Sequence, residues 1–260
     1  MTVRRALVTG ASSGIGRALA VEVARDGGDV VLVARRRGEL EEVADEVRSL
    51  GREAEVLVAD LTDAADLERV AERLADDAAP VDLLVNNAGY GSFGDFADLD
   101  LDGQLGQVRL NVLALVRLSH TAAAVLRRRG DGAVLQVGSL AGFQPLPGNA
   151  VYAATKAFVS SFSQALHEEL RGQGVRVTVL APGFTRTEFQ ERAGVEGLAA
   201  RLPAVVWDDA ATVARAGLDG VAAGRAVVVP GLKNRLGAVL LRASPDVVGR
   251  RLAVLAGRAA

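Results

Sequence analysis

The chain contains no cysteine, which excludes disulfides, thiolate metal sites and thiol nucleophiles at once. It has only two histidines, His120 in an apolar helical pattern and His167 in "QALHEEL". Both read as structural or exposed, and no metal site is expected. Aromatic residues make up 4% of the chain, and Tyr90 and Tyr152 are its only tyrosines. Lysine is scarcer still against arginine: Lys156 and Lys233 are the only two among 30 basic residues. The formal net charge is −2 and no basic block interrupts the body of the chain, which argues against a nucleic-acid groove. No run reaches the ~18 apolar residues of a membrane span. The N-terminal "MTVRRALVTG" has too short an apolar run for a signal-peptide core. These absences predict a cytoplasmic protein.

What is present is 260 residues, half of them hydrophobic, which suits one α/β domain with its own core. Seven short runs read as strands: "RALVT", "DVVLVA", "AEVLVA", "VDLLVN", "GAVLQVG", "VRVTVLA" and "RAVVVP". They are rich in Val and Leu with little alternation, as strands buried on both faces should be. Amphipathic helices alternate with them, one carrying Leu40, Val43, Val47 and Leu50, another Leu67, Val70 and Leu74 behind Thr62 as N-cap. The pattern predicts a single Rossmann-like, doubly wound parallel sheet of about seven strands, order 3-2-1-4-5-6-7, with helices on both faces. Residues 1–230 form this dinucleotide-binding and catalytic unit, and 231–260 a helical tail of the same domain. The strand ends read "TG", "AR", "AD", "NNAG", "GS", "APG" and "PG". Polar and glycine-rich residues thus gather at the carboxyl rim, where ligands bind in such sheets.

"LVTGASSGIGRALA" follows the first strand and opens a helix. Gly10, Gly14 and Gly16 would make a tight turn that lets pyrophosphate approach the backbone and a helix N-terminus, with Ser12, Ser13 and Ile15 beside it. An NAD enzyme usually places an acid at the end of the second strand to hold the ribose hydroxyls. Here Arg35 and Arg36 stand there, and guanidinium suits a 2′-phosphate. The expected cofactor is therefore NADP(H) rather than NAD(H). Asp60 and Leu61 would flank the adenine. Of "NNAG", Asn87, Ala88 and Gly89 are candidate cofactor contacts, while Asn86 is as well explained by a structural role.

Tyr152 and Lys156, in "NAVYAATKAF", are four apart and share one helix face. A free phenol has a pKa of about 10 and is a poor base near neutrality. A nearby ammonium, together with an oxidised nicotinamide, would lower it. Tyr152 could then exchange a proton with a substrate oxygen while hydride moves at the cofactor. Ser139, in "LQVGSLAG", could hydrogen-bond the same oxygen, and Asn111, a polar residue in "RLNVLAL", could position a water leading from Lys156 to solvent.

On "TGASSGIG", "NNAG", Ser139, "YAATK" and "PGFTRT", in that order and spacing, residues 5 to about 190 resemble the short-chain dehydrogenase/reductase family. The resemblance implies a catalytic set of Asn111, Ser139, Tyr152 and Lys156, with Lys156 also on the nicotinamide ribose. It further implies that Pro182 and Thr187 meet the nicotinamide end, that Arg35 follows the NADP-type pattern, and that the protein forms a homodimer or homotetramer.

The substrate side is less defined. Tyr90, Phe93, Phe96, Phe143, Leu146, Phe184, Phe189 and Trp207 stand in loops on the catalytic rim and could line an apolar pocket or simply anchor those loops. Ser139, Phe143, Tyr152 and Phe184 are the candidate substrate contacts, and the expected substrate is a small hydrophobic ketone, aldehyde or secondary alcohol. The tail carries Lys233, Arg235, Arg242, Arg250 and Arg251 with Leu236, Val239, Leu240, Leu252 and Leu255, broken at Pro245. It could touch an anionic membrane, cap the pocket or pack on another subunit. Two other functions fit the same fold: a non-catalytic NADP-binding scaffold, and a nucleotide-sugar epimerase, which the glycine spacing and the lack of a sizeable C-terminal substrate domain disfavour.

Overall fold

A computed structural model describes residues 2–189 and 203–243. The strands are β1 (Arg5–Thr9), β2 (Asp29–Ala34), β3 (Ala54–Val58), β4 (Leu83–Asn86), β5 (Gly132–Val137), β6 (Val175–Leu180) and β7 (Val227–Val228). They form one parallel sheet in the order β3-β2-β1-β4-β5-β6-β7. The expected topology is met, although the seventh strand pairs over Val227–Val228 alone.

Alternate residues of each central strand feed two cores. Ala6, Val8, Val30 and Leu32 face α1 (Gly14–Arg25), α2 (Arg37–Ser49) and a later helix over Ala210–Ala222. Leu7, Val31, Leu84 and Val134 face α3 (Ala64–Ala75) and, further along, the helices Leu115–Arg129 and Ala150–Leu170. Those helices follow α4 (Leu101–Val108) and are, in chain order, α5 (Leu115–Arg129), α6 (Ala150–Leu170), α7 (Ala210–Ala222) and α8 (Leu232–Ala243). The strands read as unbroken apolar runs because both faces are covered. Truncating a fully buried leucine here, such as Leu32 or Leu84, would cost about 2–5 kcal/mol.

Three local expectations are corrected. The α3 cap is Asp63, whose carboxylate accepts the Ala65 and Asp66 N–H groups, while the Thr62 hydroxyl donates to Asp60. An ionised oxygen at the cap outcompetes a hydroxyl one residue earlier. Leu50 lies past the end of α2 and is exposed rather than on its core face. Finally, α4, the six-residue π-helical turn Arg109–Ala114 and α5 run on as one 29-residue helix, Leu101–Arg129. It is long and apolar enough to cross a membrane by length and composition, contrary to the expectation of no such run. Yet 44% of its most apolar window is buried inside the protein, and it carries the buried amides of Gln104, Gln107 and Asn111. It serves as a core helix under the sheet.

Helix α8 packs against the 3-10 turn Leu140–Phe143, so the start of the tail belongs to the catalytic rim. Lys233 donates to the carbonyls of Val205 and Trp207 and pairs with Asp208 at 2.8 Å. Leu232, Leu236, Val239 and Leu240 are exposed on this helix. Arg242's side chain, Pro245, Arg250, Arg251, Leu252 and Leu255 lie outside the described residues.

Candidate active site

One large cleft, of about 1960 Å³, runs along the carboxyl ends of the strands. Its floor begins at the turn between β1 and α1. Gly10 has φ +65, and a Cβ on Gly16 would lie 2.2 Å from the Gly10 carbonyl oxygen and 2.4 Å from Asn87 Nδ2. Only glycine permits this approach. Gly16 is therefore not on the cleft wall: it is where α1 docks beneath the turn, while Gly10, Ser12, Ser13, Gly14 and Ile15 line the cleft itself. Ser13 makes no side-chain cap bond and no acid stands in the first turn of α1, so the positive end of the helix faces the cleft.

Arg35 and Arg36 line the cleft beyond the end of β2. Arg35 is largely exposed and lies 3.8 Å from Asp60. Burial raises the Asp60 carboxyl, but hydrogen bonds from the Thr62 hydroxyl and amide, with Arg35 nearby, hold it below its ordinary value. Leu61 lies beside it on the wall. Arg36 donates to Ser12 Oγ at 3.3 Å and to Glu188 Oε2 at 3.2 Å, and its other nitrogen lies 2.8 Å from Glu39.

The two asparagines at the end of β4 divide their work. Asn86 is buried and donates to Ser119 Oγ, a structural role. Asn87 lines the cleft, but its NH₂ is committed to the carbonyls of Thr9 and Gly10. It holds the glycine turn rather than offering those donors to a ligand. Thr9, which the sequence reading missed, ties the two segments: its hydroxyl accepts the Asn87 and Ala88 N–H groups and donates to the Val85 carbonyl. No local pattern marks a strand-end threonine for this task. Ala88 and Gly89 line the cleft as expected.

Ser139, Tyr152 and Lys156 meet on one wall. Ser139 caps the 3-10 turn by accepting the Ala141 N–H. Lys156 Nζ donates to the Val137 carbonyl at 2.8 Å and sits 5.7 Å from the Tyr152 ring centre. The charges do not behave as the sequence alone suggests. Burial pushes the Tyr152 phenol up to about 12, and hydrogen bonding with Ser139 offsets this only in part. Burial also pulls Lys156 down to about 8, so the ammonium is itself disfavoured where it is needed. The chain's own groups hold the phenol neutral.

Asn111 lies one layer deeper than the other three, off the cleft wall. Its Oδ1 accepts the Tyr90 N–H at 3.1 Å, and its Nδ2 donates to the Tyr90 carbonyl and to Thr155 Oγ1. Gly89 separates it from the cleft: a Cβ there would lie 2.9 Å from Asn111 Oδ1 and 3.6 Å from Lys156 Nζ. The π-helical turn turns this amide inward to clamp the Tyr90 backbone.

On the outer wall, Tyr90, Phe93, Leu146, Phe184, Phe189 and Trp207 line the cleft, with Pro182 and Thr187 between them and the glycine turn. Phe189 packs on Tyr152 with ring centres 5.5 Å apart, and Phe184 on Trp207 at 5.6 Å. Two expected contacts are corrected. Phe143 is off the wall because the 3-10 turn is seated on α6, where a Cβ on Gly142 would lie 2.5 Å from the Lys156 backbone. Gln144 and Leu146 take its place, and Gln144 also donates to the Leu241 carbonyl of α8. Phe96 is exposed on the surface beyond the cleft. Among the described residues no group of His, Asp or Glu could hold a metal ion.

Comparison with known proteins bears on the whole arrangement. The family model described as short chain dehydrogenase matches residues 4–196. An uncharacterized oxidoreductase of Myxococcus xanthus is 41% identical over 190 residues, 73% of this chain and 75% of that protein. A solved short-chain dehydrogenase from Sphingobium yanoikuyae in complex with NADPH superposes with a TM-score of 0.83 at 39% identity, covering 91% of this chain and 92% of that one. The bulky-bulky ketone specific alcohol dehydrogenase of Comamonas testosteroni gives 0.79 at 34% identity, with 92% of each chain covered. The glycine turn, the strand-end rim and this breadth of likeness lead to one conclusion: the chain belongs to the short-chain dehydrogenase family, whose members are oxidoreductases that bind a nicotinamide cofactor.

Proposed function

We propose that the protein is an NADP(H)-dependent carbonyl reductase or secondary-alcohol dehydrogenase acting on hydrophobic substrates, with Tyr152 as the proton-transfer group. The observation that carries this reading is the convergence of Ser139, Tyr152 and Lys156 on one wall of the cleft.

The cleft fits a dinucleotide on its own geometry. The approach that Gly16 permits and the acid-free start of α1 suit a diphosphate, and the two arginines after β2 suit a 2′-phosphate. The nicotinamide, when bound, supplies the hydride chemistry and, in its oxidised form, a positive charge beside the phenol. Ser139 orients the substrate oxygen by hydrogen bonding. Tyr152 gives its proton to that oxygen in reduction, for which a neutral phenol near 12 is in the right state at neutral pH. Lys156, anchored on Val137 and reaching toward the phenol, supports the reverse direction when protonated. Asn111 acts indirectly, by fixing the Tyr90 backbone behind Gly89. The aromatic outer wall offers apolar surface on which Lys233 is already paired with Asp208, and the likeness to a bulky-bulky ketone specific dehydrogenase supports a ketone substrate.

The test is NADPH oxidation over a panel of ketones graded in size and polarity, with NADPH and NADH dissociation constants measured beside it. Turnover that rises with apolar bulk, and tighter NADPH than NADH, is the expected result. No oxidation across the panel would leave a cofactor-binding protein of another kind, and tighter NADH would remove the NADP assignment.

A further inference from the structure

We propose that Glu188 sets how strongly this chain favours the phosphorylated cofactor, because its carboxylate occupies the arginine that would receive the 2′-phosphate. The inference rests on the NADP(H) reading above. Arg36 stands at the carboxyl end of β2 as the residue before α2, where the adenosine ribose belongs. Glu188 comes from the segment after β6, 152 residues later, and accepts from Arg36 Nη2 at 3.2 Å. That nitrogen is also the one that reaches Ser12 Oγ on the glycine turn. A phosphate bound between Arg36 and Ser12 would compete with Glu188 for the same donor, and two anions on one guanidinium edge repel each other. NADPH must therefore displace Glu188, whereas NADH, which lacks the phosphate, need not.

The segment around Glu188 gives the exchange a consequence at the chemistry. Thr187 packs on the glycine turn, its methyl 3.0 Å from where a Gly14 Cβ would stand, and Phe189 packs on the Tyr152 ring. Three successive residues thus touch the diphosphate turn, the adenosine arginine and the catalytic phenol. A phosphate that displaces the middle one therefore acts on a strip whose next residue packs on Tyr152.

The test is direct binding. Trp207 is the sole tryptophan and lines the cleft, so its fluorescence reports cofactor titrations without turnover. Glu188→Gln keeps the shape and removes the charge, and Glu188→Ala removes the side chain. The pair is partly exposed, with side chains 36% and 46% accessible, so a modest change is expected. Both variants should tighten NADPH by about two- to fivefold and leave NADH within about twofold. Unchanged NADPH affinity, or an equal loss for both cofactors, would show Glu188 to be a structural strap and overturn the inference while leaving the NADP(H) reading intact. A wild-type protein that binds NADH more tightly would remove the reading and the inference together.

Discussion

Gly16, beneath the glycine turn, and Phe184, on the outer wall of the cleft, differ in what surrounds them. A Cβ on Gly16 would meet backbone at 2.2 Å, with the Asn87 amide pinned across it. Phe184 is 53% exposed, its ring against Trp207 on a wall built from loops. The floor is made of backbone packed to contact and fixed by hydrogen bonds from Thr9 and Asn87. The outer wall is made of aromatic side chains standing on loops, Phe184 among them largely open to solvent. A floor of this kind accepts one ligand shape, whereas such a wall can be retuned by single substitutions without unsettling the fold. Substitutions in the two regions, and at Tyr152, test this contrast.

The largest effect is expected at Tyr152. Tyr152→Phe keeps the ring that Phe189 packs against and removes the proton donor. Turnover should fall by about 10²- to 10⁴-fold while NADPH affinity stays within about twofold, measured by steady-state rates and fluorescence titration. Substantial residual turnover would move proton transfer elsewhere. Gly16→Ala comes next and should do the reverse, damaging the floor and sparing the chemistry. Relieving a 2.2 Å contact with backbone must shift the turn, so NADPH should bind at least tenfold more weakly and stability should drop by about 1–3 kcal/mol. A variant with native cofactor affinity and melting temperature would show that the floor is more compliant than its contacts indicate.

Lys156 tests a tension between packing and the proposed chemistry, because it is buried on the cleft wall beside Tyr152. Burial holds its pKa at about 8, against 10.5 for the free group. Between those values the unfolded chain binds more protons than the native one, so this group makes stability rise with pH across that window. Its burden on the fold is heaviest below pH 8. Tyr152 acts in the opposite sense, since the folded phenol keeps its proton from pH 10 to about 12 and stability falls with pH there. Lys156→Met should thus stabilise the protein at pH 7 by about 1–2 kcal/mol, even with the Val137 carbonyl left without its donor, and the gain should vanish by pH 10. Denaturant midpoints at both pH values decide it; a variant less stable at pH 7 contradicts the account.

The same contrast explains what could be read from the sequence. That the glycine turn, Arg35 and Arg36, Ser139, Tyr152 and Lys156 gather at one cleft was legible because they stand at strand ends or one helical turn apart, which spacing encodes. Sheet order followed from unbroken Val and Leu runs separated by helices. Phe143 was misplaced because its direction depends on how Gly142 seats a turn on α6, which no spacing encodes. Asn111 was recognised as unusual, but the π-helical turn that aims its amide at Tyr90 has no sequence signature. The upward shift of the phenol comes from burial, which is not visible in one dimension as an i, i+4 neighbour is. Pairs such as Arg36 with Glu188, 152 residues apart, arise only from the folded chain.

The smallest effect is expected on the outer wall, and it is the sharpest check of the contrast. Phe184→Ala removes a half-exposed ring whose partner is Trp207, so little core packing is lost and the melting temperature should move by no more than a few degrees. Its ring contact is with Trp207 rather than with the glycine turn, so NADPH affinity should hold. What should change is selectivity among ketones. Losing one apolar wall is worth about 1–3 kcal/mol in a hydrophobic pocket, so kcat/KM for slender ketones should fall while bulkier ones lose less or gain. Ratios of kcat/KM across the graded panel measure this directly, with each substrate its own control for enzyme concentration. Equal losses for every ketone would mean that Phe184 braces the catalytic wall instead of shaping the pocket, and the division between fixed floor and adjustable wall would then fail at its most exposed residue.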